Sequence, residues 1–342
     1  MKLRKLFIIL LTLLVVLSFA GCGGGGNSYD DPADDTNYLC FTSTGNSSIK
    51  IRTRDGGPAS LPTLEYSKDK ITWKDFVIGD TTVELADGKK VYLRGDNTSF
   101  SDDHGYLNFE MTGSVAASGN VMSLLDKTCK SVKIPNNYCF GLLFYECTVL
   151  TAAPELPATT LAEGCYSEMF DECTSLTSAP ELPATTLKNY CYSGMFAKCT
   201  NLTAAPELPA TTLTESCYMG MFYECENLTT APELPATTLA ESCYSEMFYK
   251  CENLTAAPEL PATALADYCY SSMFMFCSKL NSIKVNFTAW NTSSTMFWVY
   301  GIADTGTFTC PSSLVHDPLI DGDFGDSKVP LTKDYRWNVV TF

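Results

Sequence analysis

Histidine is nearly missing from this chain of 342 residues, which contains two, His104 and His316. Nothing pairs with His316, and neither histidine stands at a nucleophile–base spacing from a serine, cysteine or carboxylate. His104 adjoins Asp102 and Asp103, where a metal ligand and a solvated loop are both open and the turn residues favour the loop. We therefore expect a protein that is not an enzyme, with no catalytic residue, no cofactor and no bound metal.

Basic residues are also few. The chain has 23 Lys and Arg against 39 Asp and Glu, which gives a net charge of −16, and its charged fraction of 18% is low. Binding to nucleic acid or to an anionic membrane surface depends on clustered basic side chains. We therefore expect no nucleic-acid partner and no membrane contact beyond a lipid anchor.

Residues 1–22 have the pattern of a secretory leader. The basic start MKLRK precedes LFIILLTLLVVLSFA, an apolar run too short and too terminal for a good membrane-spanning helix. The run ends in SFAGC, which resembles a bacterial lipobox, although Phe19 stands where leucine is usual. This resemblance implies cleavage before Cys22 and lipidation of Cys22. An ordinary leader with an incidental cysteine is the alternative.

Residues 23–37 form a polar tether. A run of glycines is followed by the aspartates 30, 31, 34 and 35, with no apolar periodicity. An acidic patch soon after a lipidated cysteine resembles the surface-export signal of lipoproteins from some gut anaerobes, and a simple solvated spacer is equally compatible. Leader and tether together predict a lipid-anchored protein at the bacterial outer membrane or cell surface.

Residues 38–125 predict a small antiparallel β-sandwich, because short alternating runs such as SIKIRT, TTVEL and YLNFEMTG are separated by turn residues. Asp87-Gly88 predicts a hairpin between VEL and VYL, since both positions tolerate positive φ. Ser67 to Lys70 predicts a second hairpin, between LEY and ITW. The aromatic side chains assigned to the core are Tyr66, Trp73, Tyr92 and Phe109.

A 26-residue phrase dominates residues 139–287. It reads CYSEMFDECTSLTSAPELPATTL from position 165 and returns almost unchanged from 191, 217 and 243. A fixed period of this length is typical of a solenoid, in which each unit buries its apolar face against its neighbours.

Each unit carries the spacing of an amphipathic helix. Positions 161, 165, 166, 169, 170, 173 and 176 are apolar, and Thr160-x-x-Glu163 forms a capping box in front of them. The pattern predicts a helix from 161 to about Cys173, followed by a short strand from Leu176 that Pro180 ends. One strand and one helix per unit is the plan of a leucine-rich repeat.

The phrase M-F-x-x-C-x-x-L-T resembles the A-F-x-x-C-x-x-L-T-x-I of BspA-like leucine-rich repeats, found in surface proteins of oral and gut anaerobes. The match covers 139–287, and the β module before it and the GTFTCPSSL stretch after it are similar to parts of that family's lipoproteins. Methionine replaces the family's alanine, and APELPATTL stands where a shorter turn is usual. The resemblance implies adhesion to host matrix proteins or to other cells.

The expected fold is α+β. It comprises the β-sandwich of 38–125, a curved leucine-rich-repeat solenoid over 126–287 with about six repeats, and a C-terminal cap over 288–342. In the solenoid, short parallel strands line the inside and helices the outside. The cap is predicted to cover the open apolar end with Trp290, Trp298, Phe308 and Trp337.

Twelve of the 16 cysteines recur once per unit, in two columns eight residues apart. On a helix that separation is a rise of about 12 Å, and neighbouring helices pack about 8–10 Å apart, whereas a disulfide needs Cα atoms within about 7 Å. No C-x-x-C pair suggests zinc. We expect reduced, buried thiols, and leave the state of Cys40, Cys129 and Cys310 open. The columns hold residues 139, 165, 191, 217, 243 and 269, and residues 147, 173, 199, 225, 251 and 277.

Carboxylates also recur, once in each Pro-Glu-Leu. Stacked like charges repel, so this row must face water, a cation or a basic partner. A solvated edge is the simpler interpretation, and calcium is an alternative. The candidate binding residues are this row and the threonines beside it, namely Glu155, Glu181, Glu207, Glu233, Glu259, Thr177, Thr203, Thr229 and Thr255.

A nearly periodic surface suits a repetitive macromolecule bound with avidity. We expect a monomeric binding or adhesion protein at a cell surface, with a protein or a glycan as its ligand. The alternative is a glycan-binding accessory lipoprotein, which exposed aromatic platforms would favour and a face of threonine and glutamate would count against.

Overall fold

The computed structural model describes residues 37–315 and 336–342, within a compact unit that runs from Thr36 to Phe342. The leader, Cys22, the acidic residues of the tether and His316 lie outside the described residues.

Two sheets form the N-terminal part. A six-stranded sheet has the order β4-β3-β6-β1-β8-β9, and a three-stranded antiparallel sheet has the order β5-β2-β7. Phe41 of the first sheet contacts Phe109 of the second edge to face, with 4.9 Å between ring centroids. The strands are β1 (Leu39–Ser43), β2 (Ser47–Arg54), β3 (Leu64–Ser67), β4 (Lys74–Phe76), β5 (Thr82–Leu85), β6 (Lys90–Gly95), β7 (Tyr106–Thr112), β8 (Val115–Ser118) and β9 (Leu150–Ala152).

The hairpin predicted at Asp87-Gly88 is wrong. The turn is present, but β5 pairs with β2 and β6 pairs with β1 and β3, so the chain crosses from one sheet to the other there. The carboxylate of Asp87 accepts the N–H of Gly45, and the N–H of Gly88 donates to Ser43. These bonds tie the turn to the β1–β2 connection, which a local turn signal does not reveal. The second hairpin is present, since β3 pairs with β4, but its second strand is Lys74–Phe76 rather than the predicted ITW segment 71–73.

Only part of the predicted aromatic core is central. Phe109 is buried, and Tyr66 is half-buried against the core. Trp73 and Tyr92 are half-buried on the other side of the sheet, where the Arg94 guanidinium lies 3.7 Å from the Trp73 ring centroid. The alternation of β6 explains this placement, since Val91 and Leu93 take its inward positions.

The fold-class prediction of α+β with helices outside the solenoid is wrong. The described residues contain two short helical segments, Val121–Leu124 and α1 (Ser312–Val315), and neither belongs to a repeat. Where a helix was predicted, residues 163–172 form consecutive turns. Left-handed backbone recurs there every fourth residue, at Gly164, Glu168 and Glu172.

Hydrogen bonding explains the absence of helix. The N–H of Ser167 donates to Gly164 within the same unit, at 3.0 Å, whereas the N–H of Glu168 donates to Ser193 of the next unit, at 2.8 Å. Successive residues alternate in this way, so half of the donors bind the neighbouring unit, and an α-helix would keep all of them within its own segment. The apolar residues of this stretch recur every four residues rather than every 3.6, as Cys165, Met169 and Cys173 show.

Stacked side chains form the core between these units, which we call rungs of the repeat stack (139–287). The rings of Phe170 and Phe196 stack at 5.5 Å and 1°, and those of Tyr166 and Tyr192 at 5.9 Å and 8°. The phenylalanine column begins inside the N-terminal sheets, where Phe109 stacks on Phe144 at 5.2 Å. One core therefore runs from the sheets into the rungs.

A parallel three-stranded sheet, β10-β11-β12, closes the other end of the stack. Trp298 and Phe308 are fully buried there, and Trp290 and Trp337 are nearly so. The ring of Trp298 lies 6.4 Å from Phe274, the last ring of the phenylalanine column. These side chains cover the apolar end of the last rung. The strands are β10 (Ser282–Lys284), β11 (Thr305–Cys310) and β12 (Arg336–Thr341).

Candidate functional site

The five glutamates of the Pro-Glu-Leu phrases are all exposed. In each phrase exposed and buried side chains alternate from the glutamate onwards, which is the pattern of an extended backbone with neighbouring side chains on opposite sides. Leu182 and Ala184 are buried, and therefore Glu181 and Pro183 face solvent. The same alternation recurs in every rung, which places the carboxylates in one column, the glutamate row.

The threonines predicted beside this row, Thr177, Thr203, Thr229 and Thr255, are exposed as well. The N–H and the hydroxyl of Thr229 both donate to the carbonyl of Thr203, at 3.2 Å each. Because these bonds join equivalent positions of adjacent rungs, the threonines also form a column. Part of the hydrogen-bonding capacity of the threonine hydroxyl groups is thus used within the stack.

The two ends of the glutamate row have partners. The Asn37 amide donates to Glu155 at 2.7 Å, and the Lys284 ammonium lies 2.9 Å from Glu259. Among the described residues, no side chain pairs with the three inner glutamates, Glu181, Glu207 and Glu233. The inner row is thus a line of uncompensated negative charges.

A groove lies between the first two Pro-Glu-Leu phrases, with a cavity volume of about 280 Å³. Its lining is mainly proline and aliphatic, with two carboxylates. The lining residues are Ala153, Pro154, Glu155, Leu156, Pro157, Pro180, Glu181 and Pro183.

Asp171 occupies a position whose residue type changes from rung to rung, and it is not among the predicted binding residues. It is buried, with 8% of its surface exposed, and its Oδ1 has no hydrogen-bond partner. Burial raises the pKa of its carboxyl to about 7, an effect that Lys198 opposes and Glu168 and Glu172 reinforce. The sequence does mark Asp171, because the equivalent position in the other rungs carries tyrosine, alanine or methionine.

His104, Asp102 and Asp103 do come together, with ligand atoms close enough to hold a cation. The imidazole Nδ1 lies 2.9 Å from Asp103 and 3.5 Å from Asp102, and His104 and Asp103 are largely exposed. Asp102 accepts the backbone N–H groups of Ala59 and His104, which makes it the anchor of a turn. The geometry agrees with the solvated-loop interpretation.

The twelve recurring cysteines are buried and unbridged, as predicted, but helix geometry is not the reason. Each thiol of the second column donates to a phenylalanine carbonyl. For Cys147 the acceptor is Phe109 of β7, and for the other five it belongs to the preceding rung, as Cys173 donates to Phe144 at 3.1 Å. Cys225 repeats the contact with Phe196 at 3.0 Å. The thiols are therefore donors within the core. Cys40 and Cys310 are also free and buried.

Comparison with known proteins gives no assignment, since no protein-family model, curated protein or solved structure matches this chain. Within residues 37–315 and 336–342, no helix has the length and apolar character needed to cross a bilayer.

Proposed function

We propose that this protein is a non-catalytic binding scaffold at a cell surface, where its repeat face holds a macromolecular partner such as a host matrix protein or a protein of another cell. The observation that carries the proposal is the exposed column of identical Glu and Thr positions on successive rungs. Identical sites at a fixed spacing favour a partner that is engaged at several points at once.

The geometry favours a protein over a glycan as that partner. Between Leu176 and Leu187 the exposed side chains are those of threonine, serine, glutamate and proline, with no aromatic ring. The tyrosine and phenylalanine columns of the core are buried, and their ring faces stack on one another, as Tyr192 and Tyr218 do at 5.8 Å. The half-buried rings of Tyr223 and Tyr249 stack on each other in the same way, at 4.5 Å. Sugars that bind by stacking need an open ring face, which this surface does not offer.

The proposal includes a lipid anchor at Cys22, supported by the leader and lipobox pattern of the sequence. Acyl chains contribute about 0.8 kcal/mol per buried methylene, so two or more chains hold a protein at a membrane. Metabolic labelling with a fatty-acid analogue tests it. The wild-type chain should carry the label and Cys22→Ala should not, and equal labelling of both would refute the anchor.

Binding is tested with the chain from Thr36 onwards, applied to a panel of matrix proteins beside a glycan array. We expect saturable binding to a matrix protein, weakened by addition of the same chain as competitor. The site variant carries Thr203→Ala and Glu207→Gln, which remove one rung's exposed groups and should lower the apparent affinity. Binding to no protein of the panel would contradict the proposed function, and binding to glycans alone would favour the accessory-lipoprotein alternative.

A further inference from the structure

We propose that the Pro-Glu-Leu-Pro face is a docking groove for lysine side chains of a protein partner. The alkyl stems lie between successive rungs, and the ammonium groups pair with the inner glutamates, Glu181, Glu207 and Glu233. The inference rests on the proposed function, because it names the chemistry of the partner that the repeat face holds.

The shape of the groove suits a single extended side chain. Its volume of about 280 Å³ is at or below the lower end of pockets that enclose whole small molecules, about 300–1,000 Å³. The walls are proline rings, Pro154 and Pro157 from one rung and Pro180 and Pro183 from the next. Their C–H surfaces can cover methylene groups while the charged end of the side chain reaches the rim, which is how lysine packs on apolar surfaces.

The chain itself contains one ion pair between a lysine and a glutamate of this row. At the C-terminal end of the row, Lys284 of the following rung places its ammonium 2.9 Å from Glu259. Lys284 belongs to β10, which is paired in parallel with β11, and Leu260 donates its N–H to the Lys284 carbonyl at 3.1 Å. A lysine held on the neighbouring segment is therefore compatible with a Pro-Glu-Leu glutamate and with the stacked backbone.

The negative charge of the row also favours lysine side chains as the ligand. The inner three glutamates have no cationic partner among the described residues, and neighbouring carboxylates on adjacent rungs repel one another. A row of ammonium groups relieves that repulsion. The net charge of −16 also attracts basic partners over a longer range at low salt.

The spacing of the repeated phrases determines how long the bound segment of the partner must be. The Pro-Glu-Leu-Pro phrase recurs at 206–209 and 232–235 with the same exposed Glu and buried Leu. The core rings of the three rungs are 5.5 and 5.8 Å apart, so the inner glutamates extend over about 11 Å. An extended chain rises about 3.4 Å per residue. A segment of about five residues with lysine at every second position therefore reaches all three.

The test measures binding of a fluorescent peptide to the full-length protein by anisotropy. The peptide alternates lysine and alanine over nine residues, with both ends blocked. The site variant carries Glu181→Gln, Glu207→Gln and Glu233→Gln. The control variant carries Glu226→Gln, Glu241→Gln and Glu252→Gln, three exposed glutamates elsewhere on the stack, so both variants lose the same charge.

We expect the site variant to bind at least about fivefold more weakly than the wild type, because three exposed ion pairs are lost, and the control variant to bind within about twofold. Equal weakening of both variants would show a general charge attraction and overturn the proposal. No binding by the wild type, or equal binding of a peptide with acetylated lysines, would overturn it as well.

Shortened side chains test the groove separately from the charge. Replacing lysine in the peptide by ornithine, and then by diaminobutyrate, keeps the ammonium and removes methylene groups. Affinity should fall with each step if the stem lies between proline walls, and unchanged affinity would overturn the groove. A calorimetric titration with CaCl2 completes the test, since calcium binding that is lost in the site variant, without peptide binding, would identify a metal site instead.

The outcome is separable from that of the proposed function. If a matrix protein binds the wild type and the site variant equally, the scaffold function stands and the lysine groove fails. If no macromolecule binds but the peptide recognises the glutamate row, the groove stands and the proposed function fails.

Discussion

At the scale of single residues, Asp171 is an acidic side chain in apolar surroundings. It lies in a column whose other members are aromatic or aliphatic, and the nearest cation, Lys198, is already paired with Glu172 at 2.6 Å. A carboxylate held in this way is destabilised because its charge is removed from water without a partner. The protonated form is therefore favoured, which accounts for the pKa of about 7.

This raised pKa predicts that stability falls as the pH rises. The folded protein holds the proton more tightly than the unfolded chain, whose aspartate titrates near 3.8, so the stabilisation is complete below about pH 4 and is lost through about pH 7. The loss amounts to at most about 4 kcal/mol. Asp171→Asn should flatten this dependence and stabilise the protein at about pH 8.

Urea unfolding of both proteins at several pH values measures the effect. Glu241→Gln is the control, since that glutamate is exposed and its replacement should leave the pH profile unchanged. A wild-type free energy of unfolding that rises between about pH 5 and about pH 8, relative to Asp171→Asn, would contradict the assignment.

The buried thiols give a second prediction at this scale. Burial raises the pKa of Cys139 and of Cys217 to about 11, so these groups remain protonated and unreactive in the folded protein. Iodoacetamide at about pH 8 should therefore spare both cysteine columns in the folded protein. Peptide mass spectrometry measures the labelled fraction of each cysteine, and unfolding in urea provides the control in which all cysteines are labelled. Rapid native labelling of Cys217 would show that the columns are accessible.

At the scale of one element, the turn segment makes an unusual demand on the backbone. Non-glycine residues occupy left-handed conformations in every rung, and each costs roughly 1–2 kcal/mol relative to the right-handed region. The bonds between rungs and the stacked rings offset this cost, because every second N–H has a partner in the neighbouring rung. The segment is therefore stable only within the stack.

Glycine substitution distinguishes this backbone from a helix. Ser242 has a φ of 53° and aligns with Gly164, so Ser242→Gly should be neutral or stabilise the protein by up to about 1 kcal/mol. Ser245, three residues on, is not left-handed, and Ser245→Gly should destabilise by about 0.5–1 kcal/mol.

Chemical denaturation of the two variants gives the comparison, with the far-UV circular dichroism of the wild type as a second measurement. We expect opposite or clearly unequal effects, and a spectrum without the double minimum of an α-helix. Equal destabilisation by both substitutions, together with a helical spectrum, would refute the turn backbone.

At the scale of the whole molecule, nearly identical rungs need something that sets their register. Charged pairs contribute, since Glu172 meets Lys198 at 2.6 Å and Glu224 meets Lys250 at 2.7 Å on adjacent rungs. These pairs are partly exposed and screened by solvent, so they select the register more than they stabilise the stack. The dissimilar ends, the two N-terminal sheets and the tryptophan-rich cap, define where the stack begins and stops.

This arrangement predicts that a rung can be removed but an end cannot. Deleting residues 217–242 removes one full period, so Tyr192 stacks on Tyr244 and the cooperative unfolding transition should persist. A chain that ends at Phe287 leaves Phe274 without Trp298 and should aggregate or unfold at a lower temperature. Scanning calorimetry with light scattering compares them. A truncated chain as stable as the wild type would show that the cap is dispensable.

The sequence by itself determined the period, the buried columns and the exposed glutamate row, because each depends on which side chains repeat and which are apolar. Tertiary structure decided the backbone between them. A period of four residues resembles the 3.6 of a helix over ten residues, and what separates the two is whether the N–H of a residue such as Glu168 binds its own segment or the next rung. That choice depends on the neighbouring 26 residues, as does the crossing of Asp87-Gly88 between sheets, so no local pattern contains it.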